Sequence, residues 1–133
     1  VSEANETRGE ISLELDGTEY VLRPSYQAIQ AIEKKTGKGL IALARDAAGA
    51  DLTLSETAIV ASECIRAHGR AVDDKMMAAV SPERIGELIL EADDGVAMAL
   101  GRISVLLGLA ATGGYTAQGE LKPTKLTGTQ AKA

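Results

Sequence analysis

The chain has 133 residues, 45% hydrophobic and 25% charged, which supplies one buried core and argues against wholesale disorder. A net charge of −5 with no basic stripe excludes a surface built to neutralise a nucleic-acid backbone. With three Tyr, no Phe and no Trp, the core must be filled by Leu, Ile, Val, Ala and Met, which favours close-packed helices over an aromatic-lined ligand pocket.

Residues 1–8 are polar, lack the apolar segment of a signal peptide, and read as a disordered lead-in. From Ile11 the pattern alternates, with Ile11, Leu13 and Leu15 on one face and Ser12 and Glu14 on the other. Asp16-Gly17 follows, a type I′ hairpin signal because both central residues need positive φ. A two-residue loop sets Leu13 opposite Tyr20 and Ile11 opposite Leu22, and puts every large residue but Val21 on one face. A slip by one residue would mix the faces, so the pattern selects the register. Glu14 then falls opposite Glu19, a small unfavourable pairing.

Arg23-Pro24-Ser25 ends the second strand and caps a helix whose stripe is Ala28, Ile29 and Ile32 and whose stop is Thr36-Gly37. A short second helix carries Leu40, Leu43, Ala44 and Ala47. Thr53-Leu54-Ser55-Glu56 is a capping box opening a third helix, with Leu54, Ala58, Ala61 and Ile65 inward and an end near His68-Gly69. The stretch around Met76, Met77 and Val80 fits a helical turn or an irregular connector. Ser81-Pro82-Glu83 starts another helix, with Ile85, Leu88, Ile89 and Ala92 inward. Asp93-Asp94-Gly95 breaks the chain, Asp94 being positioned to cap the last helix. Residues 96–109 are apolar nearly all round, which predicts the most buried helix. From residue 115 the Gly, Thr, Lys and Gln content reads as a flexible tail.

Chemistry is thin. Cys64 and His68 lie four apart on one helix face, but no second Cys or His completes a zinc set; a core thiol and a helix-terminal His account for both. A single Cys also excludes an internal disulfide and fits a reducing compartment. Asp93 and Asp94, with Glu91, could pair as acid and base, yet adjacent helical residues do not face each other. Gly37-Lys38-Gly39 lacks the spacing of a phosphate loop. Ser25, Ser55, Ser62, Ser81 and Ser104 have only His68 as a base. The residues therefore point to no enzyme, cofactor or metal. The longest apolar stretch is too short and too interrupted to span a bilayer, so a soluble cytoplasmic protein is expected.

The run Ile11-x-Leu13-x-Leu15-Asp16-Gly17-x-x-Tyr20-x-Leu22-Arg23-Pro24-Ser25-Tyr26-x-Ala28-Ile29-x-x-Ile32-Glu33-x-x-Thr36-Gly37-x-Gly39-Leu40 resembles the tail assembly chaperone family of gene transfer agents and related tailed phages. The later run Ile85-x-Glu87-Leu88-Ile89-Leu90-Glu91-Ala92, with the apolar helix after it, is similar to that family's C-terminal half. The resemblance covers about residues 9–114. In it, Asp16, Gly17, Tyr20, Arg23, Pro24, Ser25, Thr36 and Gly37 are structural marks. It implies a non-enzymatic factor that binds the tape-measure protein, with the tail tube protein as a further partner, and that is absent from the finished particle. The alternative is a structural tail or head–tail connector subunit retained in the particle.

The expected architecture is α+β and mostly helical: an N-terminal hairpin packed on about five helices over residues 9–114, then a flexible tail over residues 115–133. The partner surface is expected at Met76 and Met77, because Met adapts to irregular apolar partners, and at Val96, Leu100, Ile103 and Leu107 of the last helix. The hairpin's free edge invites pairing between subunits, so a homo-oligomer is a further expectation.

Overall fold

The computed structural model describes residues 10–123, so the lead-in expected over residues 1–8 and the chain beyond Pro123 lie outside the described residues. The alternating stretch pairs as an antiparallel hairpin, β1 (Ile11–Leu15) with β2 (Thr18–Leu22), in the predicted register: Leu13 opposite Tyr20 and Glu14 opposite Glu19. Asp16 and Gly17 both take positive φ, 50° and 77°. The Ser12 hydroxyl donates to the Glu19 carboxylate at 3.0 Å, which offsets part of the repulsion between the facing glutamates. Leu13, Leu15 and Leu22 are buried in the core. Val21 and its partner Ser12 are buried as well, so the open end of the hairpin is covered on both faces.

Six helices follow among the described residues: α1 (Tyr26–Thr36), α2 (Leu40–Ala48), α3 (Leu54–Val72), α4 (Lys75–Ala78), α5 (Pro82–Glu91) and α6 (Gly95–Ala111). The ambiguous stretch around Met76 is the single turn of α4. The sequence caps do what their chemistry allows. Ser25 Oγ accepts from the Ala28 amide at 3.1 Å, Gly37 closes α1 at φ 72°, and Thr53 and Glu56 form the reciprocal capping box of α3. Gly39 has no side chain to cap α2, and the Glu33 carboxylate of α1 accepts from the Leu40 amide at 2.8 Å in its place.

Four features depart from the sequence expectation. First, α3 runs to Val72, past the glycine expected to end it. Gly69 sits inside the helix because α4 crosses there: a Cβ on it would lie 2.3 Å from the Ala78 amide nitrogen and 2.7 Å from the Met77 carbonyl carbon. Second, the most buried helix is α3, not α6; α3 touches β2, α1, α4, α5 and α6. The apolar character of α6 comes partly from Ala and Gly, which have little side chain to bury, and one flank of it faces solvent. Third, Asp94 forms no side-chain cap. It takes a left-handed conformation, φ 51°, as the joint between α5 and α6. The joint is tight because Gly95 packs on the end of α5, where a Cβ would lie 2.0 Å from the Ile89 carbonyl oxygen.

Fourth, the tail does not begin at residue 115. Tyr115 and Leu121 pair in an isolated antiparallel bridge, and the turn between them docks on the β2–α1 junction. The Tyr26 amide, an orphan donor at the first position of α1, donates to the Ala117 carbonyl at 2.8 Å. Gly119, at φ 85°, fits so closely that a Cβ would lie 2.6 Å from Arg23 Cγ and 2.7 Å from the Ser25 nitrogen. The Gly and Thr content that suggests flexibility serves a tight turn instead. Burial pushes the Tyr115 phenol up to about 12.

Candidate partner-binding surface

The groups that suggested chemistry are absorbed by the fold. Cys64 is fully buried, and burial pushes its thiol well above the ordinary range, so it is not a nucleophile. His68 is 4% exposed, neither ring nitrogen has a hydrogen-bond partner among the described residues, and no serine bonds to it. Ser25 and Ser81 are helix caps, and the Ser62 hydroxyl donates to the Ile59 carbonyl. Lys38 reaches Asp46 at 2.9 Å and Glu56 at 2.8 Å, which ties the α1–α2 turn to the start of α3. The two carboxylates, Glu56 first, raise its pKa, and Lys38 in turn lowers that of Glu56. Gly37-Lys38-Gly39 is thus an ion-paired turn. Among the described residues, no group of three or more His, Cys, Asp and Glu side chains is placed to hold a metal ion. No described helix is long and apolar enough to cross a membrane.

The apolar surface expected to meet a partner divides. Met76 is 83% exposed and Val96 40%, while Leu100 is half-buried. Ile103 and Leu107 are fully buried and Met77 nearly so, which removes them from any partner surface. The reason is helical periodicity: Ala99, Ile103, Leu106 and Leu107 form one stripe, and α6 turns that stripe into the core against α2, α5 and β1.

A surface that the helical stripes do not reveal lies between α3 and α5. It is an open trough of about 670 Å³ whose apolar lining includes Leu54, Ala58, Ile59, Pro82 and Leu90. Its depth follows from a close helix approach: a Cβ on Gly86 would lie 3.3 Å from the Ala58 Cβ, so α5 settles low on α3. Leu90 then stands on the wall, 65% exposed. Lys35, Ser55, Glu83 and Glu87 supply the polar edge. The Lys35 ammonium is engaged by the buried carboxylate of Glu63, and Arg84 pairs with Glu87 at 3.4 Å. Two residues carry a sequence signal for the trough. Leu90 and Ile59 are large apolar residues one step off the predicted stripes of their helices, and each stripe is complete without them.

A tail assembly chaperone family model, with the description "Phage tail tube protein, GTA-gp10", matches residues 8–112. The match stops where α6 stops, before the docked strap. No curated protein and no solved structure gives a match.

Proposed function

The chain belongs to the tail assembly chaperone family, and we propose that it binds the tape-measure protein of its own gene cluster and keeps it soluble until the tail tube polymerises around it. In this reading it works without catalysis, in the cytoplasm of the producing cell, and leaves before the particle is complete. The observation that carries it is the open trough between α3 and α5 with its apolar lining and the exposed Leu90 on its wall. A long helical protein held in solution must have its apolar stripe covered, and a trough between two helices covers such a stripe. The chain's net charge of −5 keeps the complex soluble.

The family's description names a tail tube protein, and that supports a second reading: a subunit retained in the particle. A tube wall needs strands that close into a ring, whereas the described residues hold one two-stranded sheet and an isolated bridge. The chaperone reading is therefore preferred. Co-expression with the tape-measure protein from the same cluster tests it. Higher soluble yield and co-purification are expected; no rescue and no association would overturn it. Finding the chain in purified particles would establish the second reading.

A further inference from the structure

We propose that the trough between α3 and α5 is the docking groove for one amphipathic helix, apolar on the face it turns inward and basic along the edge beside α5. The proposal rests on the chaperone reading and gives that reading a site and a partner chemistry. The geometry selects a helix. The walls are helices whose backbone groups are satisfied internally, so they present no strand edge to an extended peptide, while a helix brings its own hydrogen bonds. From Pro82 to Leu90 the α5 wall runs about 12 Å, two helical turns, which matches apolar side chains spaced i, i+3 or i+4, and i+7.

The charge of the edge selects the partner's sign. Glu83 and Glu87 stand four apart on α5, one turn above the other. Glu87 shares its charge with Arg84, and Glu83 has no ion pair among the described residues. Across the trough, the one cation on the edge, Lys35, is engaged by Glu63. A helix with Lys or Arg along one border therefore meets an edge on which Glu83 is unmatched and Glu87 is only partly offset by Arg84. A second copy of this chain, at net charge −5, would bring charge of the same sign.

The test uses the full chain and labelled synthetic peptides that tile the tape-measure protein encoded beside it, read by fluorescence anisotropy. At least one peptide with an apolar i, i+3/i+4, i+7 face and a basic border is expected to bind. Leu90→Glu should weaken that binding at least tenfold, and the double change Glu83→Lys with Glu87→Lys at least threefold with loss of salt dependence. Val105→Glu, on the solvent flank of α6, should change it less than twofold. Leu90 and Val105 are 65% and 57% exposed, so both variants should keep the parent circular dichroism and melting curve, which is the check on folding. If Leu90→Glu binds like the parent and Val105→Glu does not, the groove is overturned while the chaperone reading stands. If neither the peptides nor the intact tape-measure protein binds, both fail. If Leu90→Glu instead converts a dimer to a monomer in sedimentation, a second copy fills the trough and the proposal is overturned.

Discussion

From Cys64 to Gly69, α3 is enclosed by its own chain: the Arg23 amide, just past the end of β2, donates to the Cys64 carbonyl at 3.0 Å, α4 presses on Gly69, and the strap docks against Arg23. From Leu54 to Ile59 the same helix carries an equally apolar side that opens on the trough. Both halves are regular helix, so secondary structure does not distinguish them. They differ in what the rest of the chain lays over them. The closed half shows what this chain does when it satisfies a helix face internally: it places glycine where backbones meet and buries even His68. The open half has its cap, and α5 covers Ala58, but Leu54 and Ile59 stay partly exposed along the trough, which is the physical ground for proposing a partner there.

The comparison breaks most sharply at Gly69. Ala there gains up to about 1 kcal/mol in helix propensity over Gly. That gain is outweighed by a Cβ placed 2.3 Å from the Ala78 nitrogen, a clash with backbone that cannot swing aside. Gly69→Ala is expected to destabilise the fold by about 3 kcal/mol, measured as a lower urea midpoint at unchanged slope. Gly86→Ala, on α5 facing the open half, meets only the Ala58 Cβ at 3.3 Å and should cost clearly less.

Next comes the strap. Gly119→Ala combines an unfavourable φ of 85° with contacts under 3 Å to Arg23, Pro24 and Ser25. About 1–2 kcal/mol is expected, and because the strap protects the Tyr26 amide, hydrogen exchange at Tyr26 should accelerate more than exchange in the core of α3.

His68 gives a pH-dependent version of the same contrast. Burial, then the positive charge of Arg23, hold its pKa below the ordinary 6.5, against weaker opposing pulls from Glu10 and Asp74. As pH falls, the unfolded chain takes up this proton first, so stability declines below about pH 6.5, by up to about 1.4 kcal/mol per pH unit. His68→Gln should flatten the decline in urea midpoint between pH 6.5 and 5.5; an unchanged slope would show that His68 is not its source.

The hairpin register, the type I′ turn and most helix caps are legible in the sequence because each is set by residues within a few positions of one another. What the sequence hides is decided by contacts between distant segments. Gly69 reads as a stop because nothing local shows α4 crossing it. Residues 115–121 read as flexible because turn chemistry and linker chemistry use the same residues, and only the docking on Arg23 to Ser25 separates them. Ile103 and Leu107 read as available because a helix with apolar, Gly and Ala residues all round does not announce which stripe its neighbours take. Of the expected partner residues, Met76 and Val96 are exposed. The trough is visible in the sequence only as two residues off their stripes.

The smallest expected effect is the one that tests the open half most directly. Leu88, Ile89 and Leu90 are consecutive, and they are 6%, 0% and 65% exposed. The first two belong to the core and cannot be changed without opening a cavity. Leu90 contributes little to folding, so Leu90→Gln should alter stability by no more than about 0.5 kcal/mol in either direction. A residue held there for folding would behave like its neighbours and cost several times that. Removing an exposed leucine from the trough wall should also raise the solubility limit of the isolated chain, measured by precipitation with ammonium sulfate, because the wall is apolar surface with no cover of its own. A stable, more soluble Leu90→Gln variant that fails to bind the tape-measure protein would mark the α5 wall of the trough as the partner contact proposed above, distinct from the core contacts of Leu88 and Ile89.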